Sequence, residues 1–277
     1  MRQTLAERYA APVVRAHGDR VELLGGKPLA LALERAHAAG YRDVTRRIVA
    51  IDLAGLPWFS VPADGLQLWR QHDDEGGELV TDVIAGDPGL QVVSELRGWQ
   101  LVRLVDGATG WVAPLTGQLE PAPAAALRGE VANVEPDGFA SVVEAFVGVP
   151  YRWGGTTRAG IDCSGLVQRA AWIAGSYWPS RHSTALLSEG ARAPAASIRR
   201  GDVLVLRRSV ATVGSITAQP LPPEAGPERH PMHVAVAIDS ATAVHASRDA
   251  WKVACEPIAS LRERYRLLSV RRLGSAD

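Results

Sequence analysis

The stretch Tyr151–Gly165, YRWGGTTRAGIDCSG, decides how the rest of the chain is read. It carries one of only two cysteines, Cys163, placed after a turn-rich glycine run and before an amphipathic pattern. Leu166, Val167, Ala170, Ala171 and Ile173 recur at the three-to-four spacing of a buried helix face. Asp162 is a good helix N-cap, so Cys163 is expected at the first helical position. A thiol there meets the positive end of the helix dipole and unpaired backbone amides, and both favour the nucleophilic thiolate. Taken alone, a cysteine at a helix start is more often a small buried hydrophobe.

Two later histidines change that balance. In MHVAVAID, alternation puts His233, Ala235 and Ala237 on one strand face and Val234, Val236 and Ile238 on the other. A turn at Asp239 and Ser240 leads into ATAVHAS. A hairpin centred on Asp239 sets His233 directly opposite His245 on one face, within side-chain contact. A thiol at a helix start, a histidine on a strand and a polar group that orients that histidine make a Cys-His-X triad.

DCSGLV after a Y-x-WGG turn, then HVAVAI and a following HA, resembles the NlpC family of papain-like cysteine peptidases, which act on bacterial cell-wall peptides. The resemblance runs roughly from Pro136 to the C-terminus. It implies an α+β catalytic domain, a helix bundle against an antiparallel sheet. Cys163 is then the nucleophile, His233 the base, and His245 the group that orients it. The oxyanion would be held by the Cys163 amide at the helix start. Tyr151 resembles a family tyrosine near the catalytic cysteine. Arg181-His182-Ser183 matches an Arg-x-Ser that borders the substrate site, with His182 where Asp is frequent. Arg181 and Ser183 are therefore candidate substrate contacts. Asp162 and Ser164 have a local role as helix caps. By resemblance to recycling-type members they also receive the free amino group of an L-Ala-γ-D-Glu-diamino-acid stem peptide. The implied reaction is hydrolysis between γ-D-Glu and the diamino acid, with a stem peptide or muropeptide as partner and neither cofactor nor metal. Two other classes fit the same residues: a peptidoglycan-binding module with an impaired peptidase, and an acyltransferase or amidase on the same fold.

The remainder of the chain divides by pattern. Residues 1–56 read as a small mixed unit, with β character around His17-Gly18-Asp19, a helix over Pro28–Gly40 and a short strand at Arg47–Leu53. Gly25-Gly26-Lys27 is followed by Pro28 where a phosphate loop needs Ser or Thr, which excludes that motif. Residues 57–118 read as a small β-barrel, with strands at Gly65–Trp69 and Leu90–Ser94 and a hairpin of Trp99–Val105 with Gly110–Ala113. The pattern V-x-x-x-x-G-W-x-x-V followed by G-W-V resembles bacterial SH3-like domains. In related enzymes such a domain borders the cleft, and some members use a tyrosine from it; none occurs between residues 57 and 118 here. Residues 119–136 are Pro- and Ala-rich and read as a linker, and 137–277 form the peptidase domain, opening on a helix capped by Asp137. The proline-rich Arg207–Pro231 is expected to flap over the cleft near His233. Pro231 breaks the helical spacing that would let His230 and His233 share a metal. Cys255, in WKVAC, reads as strand core.

Thirty basic and thirty acidic residues leave a formal charge of +0, which argues against a nucleic-acid partner or electrostatic membrane binding. Two cysteines are too few for a disulfide scaffold. The charged N-terminus lacks the apolar core of a signal peptide, so the expectation is cytoplasmic, or exported if a leader was removed.

Overall fold

The computed structural model describes residues 13–17, 20–24, 48–51, 56–70, 78–96, 98–114, 119–122, 134–175, 177–209 and 232–274. The chain forms two compact units, one of Gln3–Leu66 with Ile84–Arg128, the other of Gln67–Val83 with Gly129–Asp277.

The first unit opens with strands β1 (Val13–His17) and β2 (Arg20–Leu24), an antiparallel pair running from Val13↔Leu24 to His17↔Arg20. β3 (Ile48–Ile51) adds to β2 in parallel. The expected helix over 28–40 lies outside the described residues. Next in the chain come β4 (Leu66–Trp69) and β5 (Leu79–Val83), which are counted with the second unit from Gln67 onward. β5 was not expected from sequence. The first unit then resumes with an antiparallel meander of β6 (Leu90–Leu96), β7 (Trp99–Leu104) and β8 (Thr109–Val112). Its β7–β8 turn is the expected one: Gly107 has φ +82, and the Asp106 carboxylate accepts the Ala108 amide at 3.0 Å. Val93, Leu101 and Trp111 pack together there with Trp99 and Leu56, so these tryptophans serve the core.

In the second unit helix α1 (Pro136–Glu144) begins one residue before the expected cap. Pro136 takes the first helical position, where its missing N–H costs nothing, so Glu135 is the cap and Asp137 lies in the first turn. The short pair β9 (Thr156–Thr157) and β10 (Gly160–Ile161) leads into helix α2 (Cys163–Gly175). Then follow β11 (Ala191–Ala193), β12 (Val203–Arg208), β13 (Met232–Ala237), β14 (Thr242–Ser247), β15 (Lys252–Pro257), helix α3 (Ile258–Arg264) and β16 (Tyr265–Arg272). They build a six-stranded antiparallel sheet in the order β11-β16-β12-β13-β14-β15.

Two-residue alternation explains how the sheet is covered. Val203, Val205, Val234, Val236 and Val244 face a core shared with Phe139 and Val143 of α1 and Leu166, Val167 and Ala170 of α2. The opposite parity, Leu204, Leu206, Ala235, Ala237 and Ala243, packs with Ile258 and Leu261 of α3. Leu166 and Val167 are each 1% exposed, and burying one such side chain contributes about 1.5–3 kcal/mol. Ile173 departs from the expected stripe and is 57% exposed. Residues 164–171 are buried on every side of α2, and Ile173 lies in the last turn, beyond that cover. Cys255 departs too: β15 is an edge strand, and its thiol lies on the exposed part. The long segment expected to flap over the cleft lies outside the described residues from 210 to 231.

Candidate active site

Asp162 ends the approach to α2 and caps it as expected. Its Oδ1 accepts the Gly165 amide at 2.7 Å, while its carbonyl accepts the Leu166 amide at 2.9 Å. Cys163 is therefore the first helical residue. Asp162 does more than cap. Oδ2 takes the Gly154 amide at 2.9 Å, and Arg181 grips both oxygens, Nη1 to Oδ1 at 2.9 Å and Nη2 to Oδ2 at 2.5 Å. Ser164 Oγ bonds Asp162 Oδ1 at 3.3 Å and accepts from Arg181 Nη1 at 2.8 Å. Both carboxylate oxygens and the Ser164 hydroxyl are thus engaged inside the protein, and the charge is balanced by a guanidinium only 4% exposed.

The glycines of this corner are required by close approach. A Cβ on Gly165 would lie 2.3 Å from the Gly155 carbonyl oxygen. Alanine in a helix normally gains about 1 kcal/mol over glycine. Here the contact reverses the sign, and Gly165→Ala is expected to cost about 1–3 kcal/mol, read as a lower midpoint in urea unfolding.

The hairpin β13–β14 carries both histidines, with one correction to its register. Val236 pairs Val244 and Ala237 pairs Ala243, so the hairpin is centred on Ser240, not Asp239. Asp239 Oδ1 accepts the amides of Ala241 and Thr242, each at 2.7 Å, which makes the loop longer than the two-residue turn expected. His233 and His245 are diagonal neighbours on one face. Imidazoles span that offset: His233 Nε2 lies 2.8 Å from His245 Nδ1, with the rings edge to face at 4.9 Å. Tyr265 stacks on the other side of His233, centroids 4.9 Å apart and planes 22° apart.

Cys163 is only partly covered, and its sulfur accepts the backbone amides of Val234 and Ser164. The Val234 contact brings the thiol beside the strand that carries His233. The helix start does not by itself yield a thiolate. Burial, then the Asp162 carboxylate, push the thiol up to about 12, and the two amides and Arg181 only partly oppose them. His233 moves the other way. Burial, then His245 and the guanidiniums of Arg208, Arg264 and Arg248, hold it well below the ordinary imidazole value. Both directions favour a neutral thiol and a neutral imidazole at rest.

A linkage follows from His233. Its folded value lies below the unfolded one, about 6.5, so between the two the unfolded chain binds the extra proton. Stability then rises with pH through that window and falls as pH drops below about 6.5. His233→Gln is expected to flatten this slope between about pH 5 and pH 7.5, as measured by urea unfolding.

Tyr151 joins the site. It is buried, meets Trp251 edge to face at 5.8 Å, and its hydroxyl is pushed well up, first by burial and then by the neighbouring acidic groups of Cys163 and Asp162. Ser183 is partly exposed and makes no hydrogen bond among the described residues, and His182 is exposed. Several participants were missed from sequence. Thr81 of β5 accepts Arg181 Nε at 2.9 Å, Asp82 takes Arg152 at 3.2 Å, and Glu78 accepts the Trp153 indole N–H at 2.9 Å. Trp251 holds φ +54, a left-handed conformation costing about 1–2 kcal/mol outside glycine, with its indole 42% exposed. Arg248 lies over the Trp153 ring at 5.7 Å. Glu256 accepts from His245 Nε2 at 3.1 Å.

Residues 148–218 match the NlpC/P60 family model. A probable endopeptidase of Mycobacterium bovis is 40% identical over 89 residues, covering 29% of this chain and 23% of the relative. A probable endopeptidase of Corynebacterium glutamicum is 28% identical over 138 residues, covering 46% of this chain and 65% of the relative. The chain thus spans less than a quarter of the first curated relatives it matches. Among solved structures, an NlpC/P60 family protein from Bacillus cereus superposes with a TM-score of 0.41 at 17% identity, covering 95% of this chain and 79% of that one. The Cys163 helix start lies inside the segment that matches the NlpC/P60 model, and the His233–His245 pair lies beyond its C-terminal end.

Proposed function

We propose that this chain is a thiol endopeptidase of peptidoglycan stem peptides, cleaving between γ-D-Glu and the diamino acid of L-Ala-γ-D-Glu-diamino-acid fragments. The observation that carries this reading is the 2.8 Å bond from His233 Nε2 to His245 Nδ1, on the strand whose Val234 amide reaches the sulfur of Cys163 at a helix N-terminus. The relatives named as probable endopeptidases support peptide-bond hydrolysis. The stem-peptide substrate rests on the motif resemblance around Cys163.

In the proposed mechanism His233 Nδ1 takes the thiol proton as the sulfur attacks the scissile carbonyl carbon. The Cys163 amide stands at the helix start to receive the oxyanion. The C–N bond breaks as His233 returns the proton to the leaving amine, leaving a thioester. Water then attacks that carbonyl with His233 taking its proton, the C–S bond breaks, and the thiol is regenerated with the product acid. Tyr151 and the exposed Trp251 are positioned to flank the peptide. Free-amine preference rests on Asp162 and Ser164, whose polar atoms already serve Arg181 and the backbone. Equal cleavage of free and N-acetylated L-Ala-γ-D-Glu-diaminopimelate, followed by mass spectrometry, would place the amine away from them. Cleavage of neither, with Cys163 still alkylated by iodoacetamide, would point to an acyl substrate of another class.

A further inference from the structure

We propose that Glu256 is a positioning residue of this site, fixing the tautomers of His245 and His233 so that the nitrogen left for the thiol is the basic one. The role presupposes the thiol-peptidase reading. The bonds themselves do not.

The argument runs inward from the carboxylate. An ionised carboxylate only accepts hydrogen bonds, so His245 Nε2, 3.1 Å from Glu256 Oε1, carries the proton. A neutral imidazole has one N–H, so His245 Nδ1 is an acceptor. It lies 2.8 Å from His233 Nε2, which must therefore donate. His233 Nδ1 is left with a lone pair, the state a general base for Cys163 requires. Reversing the first bond would reverse each one after it and leave Nδ1 protonated.

Sheet register builds this line. His245 pairs Ala254 on β15, so Glu256 sits two residues along on the same face. His233 bears the same diagonal offset to His245 on β13. The three side chains step across adjacent strands. Glu256 is pinned from behind, since its second oxygen bonds Arg264 of α3. Arg264 also bonds Asp249 at 3.0 Å, and Asp249 takes Arg208 at 3.0 Å. Arg208 and Arg264 both lie against Tyr265, the ring stacked on His233. The bond from His245, then the Arg264 charge, hold Glu256 below the ordinary carboxylate value, so it stays an acceptor at neutral pH. When His233 becomes imidazolium, its Nε2–H still donates to His245. The carboxylate at the end of the line stabilises that charge, and no proton travels beyond His233.

The test is nitrogen-15 NMR of the two rings together with Glu256→Gln and Glu256→Asp. In the wild type both neutral rings are expected to be protonated at Nε2. In Glu256→Gln the side-chain amide can donate to His245 and reverse the order. kcat for the stem peptide should fall about 10–100-fold with KM little changed. Iodoacetamide labelling of Cys163 near neutral pH should slow similarly, and the deficit should close as pH rises and hydroxide removes the proton unaided. Glu256→Asp, which keeps the carboxylate, should recover most of the loss. A merely structural role would not give a pH-dependent labelling deficit. Unchanged kcat and labelling in Glu256→Gln, or an Nδ1–H on either wild-type ring, overturns the inference. If Glu256→Gln fails to fold, the wild-type tautomers decide. Expected tautomers and a labelling deficit without cleavage by the wild type would uphold the positioning role while removing the peptidase reading.

Discussion

Cys163→Ala is expected to abolish release of L-Ala-γ-D-Glu from L-Ala-γ-D-Glu-diaminopimelate, a loss of at least about 10⁴-fold in kcat. The size follows from covalent chemistry. With the sulfur gone, no thioester forms, and His233 has no proton to take from a nucleophile held at the helix start. Binding should persist, because Tyr151 and Trp251, the residues proposed to flank the peptide, remain. The check is mass spectrometry of products from wild type and variant, beside calorimetric titration of the uncleaved peptide into the variant. Cleavage that survives in Cys163→Ala would mean that another nucleophile acts. Loss of binding as well would mean that the alanine disturbed the corner around Asp162.

The largest expected effect on stability comes from breaking the Asp162–Arg181 pair. Both partners are nearly buried, with side-chain exposures of 9% and 4%. Removing one partner strands the other charge, with a cost of about 3–5 kcal/mol. Arg181→Met leaves Asp162 without its guanidinium and Thr81 without its donor. Asp162→Ala also uncaps α2 and frees the Gly154 amide, so it should be the more damaging of the two. Asp162→Asn combined with Arg181→Met removes both charges and should recover part of the loss. Urea unfolding of the wild type, Asp162→Asn, Arg181→Met and the double variant forms a double-mutant cycle. Additive costs would show that the two side chains act independently, against the geometry. Activity is not the readout here, because Asp162 adjoins Cys163.

Much of this site was legible before any coordinates. Asp162 announced the helix start through its capping chemistry, and Cys163 fell at the first position because a cap fixes where helical hydrogen bonding begins. Two-residue alternation put His233 and His245 on one face. The expected hairpin centre was off by one residue, yet the faces survived. Moving the centre by one shifts each partner by two residues, and a shift of two preserves side-chain parity. Ile173 and Cys255 were misplaced for a related reason. Periodicity tells which residues share a face, but not how far the covering layer extends over the end of a helix or the edge of a sheet.

The sequence by itself determined the chemistry available: one thiol after a capping aspartate, and two histidines of like parity in consecutive strands. Those features depend on residues within a few positions of one another, where propensity and period act. Tertiary structure decided how that chemistry is tuned. Burial raises the Cys163 thiol and lowers His233, which turns an expected thiolate into a thiol awaiting a base. Arg181 neutralises Asp162 and reaches Thr81, 100 residues away in the chain. Glu256 meets His245 only because β15 pairs with β14 in one register. Desolvation and charge pairing are sums over whatever the fold brings near. No local pattern records them, because the groups that set them are joined only when distant strands close into one sheet.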